Sequence, residues 1–166
     1  MVNFEKMKYT LLILSFLILS CNGIVRKNGL EIYRVKKEFP DFTKKPIPEC
    51  YYCLELQKKD LFENPLLEES DIEFFDWKEQ QIKLTEIGKI KIKELKIPLQ
   101  GLPMAMVLNG ELIYGFWFWN DVSSFGCDRV FTYPKLDFKL KFGHQKTYGK
   151  DPRFDGNLEK YINEKN

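Results

Sequence analysis

The sequence predicts an α+β domain: a mostly antiparallel sheet with one main helix packed on a face of it. Three observations carry that expectation. Asn109-Gly110 stands between two apolar runs, and both positions of a tight hairpin turn need positive φ. "KLDFKLKF" (135–142) alternates apolar and polar residues at the period of a half-buried strand. "LTEIGKIKIKELK" (84–96) offers Thr85 as a helix cap and then apolar residues at helical spacing.

The elements follow in order. "LEIYRVKKEF" (30–39) reads as a first strand, and Pro40 to Pro48, with three prolines, reads as a loop. "CYYCLEL" (50–56) is a short extended or irregular piece. In "ENPLLEESDIEFFDW" (63–77), Ser70 with Glu73 three residues on is a capping-box pattern, which predicts a helical turn beginning near Asp71. "QQIKLT" (80–85) is a second strand. The helix from Thr85 to Lys96 should bury Ile87, Ile90 and Leu95 on one face and turn its lysines outward, with Gly88 as a weak point. Pro98 and Gly101 end it. The hairpin strands cover about 103–108 and 111–119, a polar loop spans 120–128, and a further strand runs from Arg129 to Tyr133. In 135–142, Leu136, Phe138, Leu140 and Phe142 should face the core. "NLEKYINEK" (157–165) closes the chain as a short helix.

The N-terminus reads as an address rather than part of the fold. Lys6 and Lys8 precede the apolar run Leu11 to Leu19, which is too short to span a bilayer as a stable helix. That run ends in "ILSC", which resembles the bacterial lipobox, in which the chain is cut before the cysteine and the cysteine is diacylated. Leu19, where a small residue is commoner, and the acidic Glu5 depart from the pattern. The resemblance implies a lipid anchor on Cys21, with residues 22 to 28 as a tether. Two acyl chains hold a protein stably on a membrane where one does not. Asn22 lacks the aspartate of an inner-membrane retention signal, which favours an outer-membrane destination.

Removing the first 20 of 166 residues leaves 146, enough for one domain with its own core. The whole chain carries 26 basic and 24 acidic residues, interleaved along its length. That balance argues against nucleic acid as a partner. Lys83, Lys89, Lys91, Lys93 and Lys96 cluster near the helix, where they read as a solvated face.

"PLLEESDI", "IKLTEIG", a helix, "G-x-P" and "MVLNGELI" resemble, in that order, the first periplasmic head domain of the export protein SecD. The resemblance covers about residues 30 to 115. It implies a ferredoxin-like α+β fold and brings no catalytic residue with it. The SecD transmembrane helices are missing, and "FWFWNDVSSFGCD" replaces that family's continuation. The chain also resembles small bacterial proteins with "DW-x-x-x-x-I-x-LT" followed by "FW-x-x-x-SS".

Three sets of residues invite chemistry. Cys50 and Cys53 have the spacing of a thiol-disulfide oxidoreductase, and "GLPMAMVLNGE" resembles the proline loop, strand and turn of thioredoxins. Against it, a proline-rich loop rather than an apolar strand leads into Cys50. Asn64-Pro65 also follows too soon for the helix that lowers a nucleophile's pKa. Cys50, Cys53, Cys127 and His144 would make a zinc set only by arithmetic, since no second close-spaced pair supports it. In an oxidising compartment the commoner result is one bridge and one buried thiol, leaving the Cys50/Cys53 pair structural or incidental. The run Phe116-Trp117-Phe118-Trp119 either packs on both faces of a strand or leaves a tryptophan exposed. In the second case Trp117, Trp119, Asn120, Asp121, Ser123 and Ser124 form a recognition patch. Ser123 lacks a nucleophile-elbow context, and Asp71 and Asp76 sit where carboxylates cap or solvate.

These readings converge on a non-catalytic cell-envelope lipoprotein that needs no metal or other cofactor. It would be held at the membrane by its lipid and would bind a protein partner. An oxidoreductase using Cys50 and Cys53 is the alternative, and an immunity factor against a secreted toxin is another. Cys21→Ser should abolish both processing and acylation; mass spectrometry finding an unmodified Cys21 on the wild-type mature chain would refute the lipid anchor.

Overall fold

The computed structural model describes residues 29–36 and 49–165. The expected signal segment, Cys21, the tether over 22–28, the end of the first strand and the loop over 40–48 lie outside the described residues. Strands β1 (Leu30–Arg34), β4 (Leu102–Leu108), β5 (Glu111–Phe118), β6 (Val130–Thr132) and β7 (Lys141–Phe142) form one sheet in the order β1-β4-β5-β6-β7. Strands β2 (Ile72–Asp76) and β3 (Gln81–Leu84) pair as a separate hairpin. Every ladder is antiparallel except β5 with β6. Helices α1 (Glu86–Glu94) and α2 (Gly156–Lys165) complete the domain. The α+β class and the mostly antiparallel sheet are as the sequence predicts.

The Asn109-Gly110 turn forms as expected, with both residues at positive φ (51° and 80°). Asn109 does a second job: its Oδ1 accepts from Gly29 N at 2.8 Å, which ties the turn to the start of β1. Helix α1 starts where Thr85 Oγ1 accepts from Gly88 N at 3.3 Å. Asp155 Oδ1 caps α2 in the same way, accepting from Asn157 N and Leu158 N.

The main core lies between the sheet and the helices. Leu30, Ile32, Met104, Met106, Phe116 and Phe118 project into it from the sheet, and Ile92, Leu158 and Ile162 from the helices. The opposite face of β4 and β5 is also apolar. The segment over 50–61 covers it, with Tyr52 on Trp117 and Trp119, and Leu61 on Ala105 and Val107.

Four expectations are corrected. Helix α1 buries Gly88 and Ile92, while Ile87 and Ile90 face water. The buried stripe runs through the glycine because a backbone passes there: a Cβ on Gly88 would stand 2.6 Å from the carbonyl oxygen of Asp71. The capping pattern sits two residues earlier than Ser70 and Glu73. Asp71 Oδ2 accepts from Glu68 N at 2.8 Å around a single 3-10 turn, and the chain then enters β2 rather than a helix. The stretch over 135–142 is broken. Phe138 turns at φ 43°, Lys139 bridges to Gln81, and only Lys141–Phe142 pair with β6. Phe138 and Leu140 are buried as expected, but Leu136 stands in water. Finally, a ferredoxin-like split β-α-β would seat β3 beside β5 in one sheet. Here β3 pairs with β2 and meets the far edge of the main sheet through the Gln81–Lys139 bridge.

Asp71 joins the hairpin to α1. Its carboxylate accepts from Lys91 Nζ at 2.6 Å, and its carbonyl accepts from Thr85 N at 2.9 Å. Gly88→Ala improves helix propensity by about 1 kcal/mol. It also pushes a methyl group into the Asp71 carbonyl, an overpacking that costs about 1–3 kcal/mol. The clash should win. Urea denaturation should therefore show net destabilisation, and an unchanged or raised midpoint would mean that α1 stands off from Asp71.

Candidate functional site

Cys50 and Cys53 are joined in a disulfide with Cα atoms 5.7 Å apart, an ordinary separation for such a bridge. Cys50 is 0 % exposed. The chain after Cys53 runs without regular structure to a single 3-10 turn over Lys58–Asp60. Among the described residues no helix N-terminus addresses either sulfur, so no helix field of the kind that activates a redox thiol acts there, and Cys53 is the more accessible of the two. Because the two sulfurs are spent on each other, they are not free to ligate zinc. Among the described residues no three His, Cys, Asp or Glu side chains gather as a metal set.

Cys127 is the buried free thiol. Its Sγ donates to the carbonyl of Arg129 at 3.6 Å. Burial is the main cause that pushes this thiol up to about 12, so it is inert as a nucleophile at neutral pH.

The tryptophans are not a surface patch. Trp117 and Trp119 are 1 % and 2 % exposed. Successive side chains of a strand point to opposite faces, so Phe116 and Phe118 fill the main core while the two tryptophans fill the second. Tyr52 meets both indoles edge-on, with ring centroids 5.2 Å and 4.9 Å away. Trp117 Nε1 donates to the Tyr52 carbonyl at 2.8 Å, which satisfies the buried indole and holds the disulfide loop on the sheet.

The rest of the expected patch forms a fastened loop. Asn120 Nδ2 donates to the Ile97 carbonyl at 2.7 Å, and Ser123 Oγ donates to the Leu99 carbonyl at 2.6 Å. Ser123 Oγ also accepts from Phe125 N, and Asn120 Oδ1 accepts from Val122 N. Both residues are therefore occupied in holding the loop's shape, whereas Asp121 and Ser124 are exposed. With these bonds made, Val122 stands in water at 77 % exposure, and Leu99 and Phe125 are about half exposed at the same end of the sheet.

Asp128 carries no local sequence signal, because its carboxylate partners lie 76 and 77 positions away. It accepts from Tyr51 N at 2.7 Å and from Tyr52 N at 3.1 Å, taking two consecutive amides of the disulfide loop. Its own carbonyl accepts from Tyr148 N at 2.9 Å. The Arg129 guanidinium donates to the Tyr148 carbonyl and, at 3.4 Å, to that of Lys150. Between the two fastened segments lies a cleft of about 570 Å³, with Tyr51, Tyr52, Asp128, Gln145, Thr147 and Tyr148 in its lining.

A second cleft, of about 410 Å³, is lined by Lys93, Lys96 and Lys135. Lys135 Nζ donates to the Lys93 carbonyl at 3.1 Å and so satisfies the end of α1. A helix C-terminus repels anions, and Glu94 and Asp121 also line the space, so this cleft is a poor anion site.

No protein-family model, curated protein or solved structure matches the chain.

Cys127 gives the site a pH dependence. Its pKa is raised in the folded state, so its contribution to stability is complete below its ordinary value near 9 and is lost as pH climbs towards about 12. Buried Tyr52 and Tyr114, also raised, add to the fall above pH 10. The thermal midpoint should decline from about pH 9 upward, and Cys127→Ala should remove the earliest part of that decline. A wild-type midpoint that stays flat to pH 11 would show that the thiol is not buried.

Proposed function

We propose that the chain is a non-catalytic cell-envelope lipoprotein, tethered through a diacylated Cys21, that binds another protein through the loop over 120–125. One observation carries the reading. Asn120 and Ser123 fasten the loop with four hydrogen bonds while Val122 stands in water and Phe125 and Leu99 are about half exposed. Part of that order serves the fold, since the Phe125 carbonyl accepts from the buried Trp119 Nε1 at 3.2 Å, but apolar side chains exposed on a fastened loop are the kind of surface that marks sites of protein contact. A fastened loop also loses little freedom on binding, which favours affinity.

The groups that first invite catalysis have structural partners, which supports the reading. The dithiol is a crosslink with a buried Cys50, and the Ser123 hydroxyl is held by Leu99. The layout suits a tethered binder as well. Gly29 lies beside the Asn109 turn, and the loop follows the far end of β5, eight residues or about 26 Å along the strand. Seven residues separate Cys21 from Gly29, a span of eight Cα–Cα steps, so the tether reaches at most about 28 Å. The domain would sit close to the bilayer with the loop on its outer end.

A photo-crosslinking amino acid at position 122, in the membrane-tethered protein, should yield one discrete adduct. That adduct should vanish with Phe125→Ser and be missing when the probe is moved to Lys89 on the exposed side of α1. The same adducts at both positions would defeat the docking claim. Insulin reduction by the purified domain would defeat the non-catalytic one.

A further inference from the structure

We infer that the cleft between the disulfide loop and residues 145–148 is a binding site for a neutral oligosaccharide, separate from the loop over 120–125. Its walls are prebuilt. Asp128 holds one wall by its carboxylate, through Tyr51 N and Tyr52 N, and the other by its carbonyl, through Tyr148 N. Arg129 fastens the second wall again at the Tyr148 and Lys150 carbonyls. Gly143 makes the bend that starts this wall, at φ 69°, where a Cβ would stand 2.5 Å from the Lys146 carbonyl oxygen. Two walls fixed to one residue leave little to order when a ligand enters.

The lining selects the ligand class. A volume of about 570 Å³ lies within the range of small-ligand sites. Tyr51 and Tyr148 supply aromatic surface, which suits the apolar C–H face of a sugar ring, while the Tyr52 ring is turned inward onto the tryptophans. Gln145 and Thr147 supply an amide and a hydroxyl, and each can both donate and accept, as sugar hydroxyls require. Charge discriminates against other ligands. Among the described residues Lys146 is the one cation of the lining, beside Glu49 and an Asp128 carboxylate already engaged by two amides, which is a poor set for clamping a phosphate.

Tyr52 packs on Trp117 and Trp119, so their fluorescence should report on the cleft once the third tryptophan is removed by Trp77→Phe. The full domain would be titrated with chitotriose and with maltotriose to about 10 mM, above the millimolar Kd expected of a small open cleft. A saturable shift with at least one probe is expected. Tyr51→Ala and Thr147→Ala should each weaken it by about tenfold, since each removes one contact of the lining while leaving the Asp128 bonds in place. Reduction of the Cys50–Cys53 bridge should weaken it several-fold in protein that circular dichroism shows still folded. The inference is overturned by no saturable shift with either sugar, by a shift insensitive to Tyr51→Ala, or by tighter binding of an unrelated tyrosine-rich peptide in the same cleft. None of these outcomes bears on crosslinking at position 122, so the two sites stand or fall separately.

Discussion

The central strands β4 and β5 are apolar on both faces, and the rest of the structure answers that constraint. Met104, Met106, Phe116 and Phe118 point one way, and Pro103, Ala105, Val107 and Trp117 point the other. Leaving either set in water would forfeit about 1.5–3 kcal/mol for each large side chain. One face is covered in the ordinary way, by two amphipathic helices and the β2-β3 hairpin. Among the described residues no helix remains for the other. The chain covers it with an irregular segment, in which Tyr52 lies on the two tryptophans, Leu54 and Leu56 lie over Gly115, and Leu61 lies beside Val35 and Val107. Gly115 is what lets that segment approach, since a Cβ there would stand 2.8 Å from Leu56 Cδ1.

An irregular cover has a polar cost that a helix avoids, because its amides and carbonyls find no ladder. The side chains around it supply the missing partners. Asp128 takes the amides of Tyr51 and Tyr52, Trp117 donates to the Tyr52 carbonyl, and Asp60 Oδ2 accepts from Gln57 N. The same bonds build the cleft. What reads first as a binding wall is thus a by-product of satisfying a loop laid on a sheet, and its rigidity comes with the fold.

How much of this was legible depended on the range of the interaction. The hairpin at Asn109-Gly110, the Thr85 cap and the closing helix are set by residues within a few positions of one another, and all three formed. Gly88 misled, because helix propensity sees only the missing side chain and not the Asp71 carbonyl that needs the space. Leu136 misled because period-two alternation persists through a turn, and Phe138 at positive φ breaks the strand without breaking the pattern. The aromatic run left two readings open, and the face opposite Phe116 and Phe118 was filled only once Tyr52 arrived from 65 residues away. Asp128 was invisible for the same reason. Within the candidate site, then, Asn120 and Ser123 were found without their role, and the exposed apolar side chains beside them were not found at all.

The disulfide has to be weighed against this cover. Its cysteines are only 3 positions apart. In the chain-entropy picture so short a loop removes little freedom from the unfolded chain, about 2 kcal/mol of stabilisation. Burying Tyr52, Trp117 and Trp119 together outweighs that, at about 1.5–3 kcal/mol for each large apolar side chain. The cover is therefore held on the sheet by its aromatic contacts, and the crosslink fixes local shape: it sets Cys50 and Tyr52 inward and leaves Tyr51 half in water. The main effect of the bond is thus the shape of one wall of the cleft. Reduction would leave the sheet covered, because the aromatic contacts remain, and would loosen the shape of that wall alone.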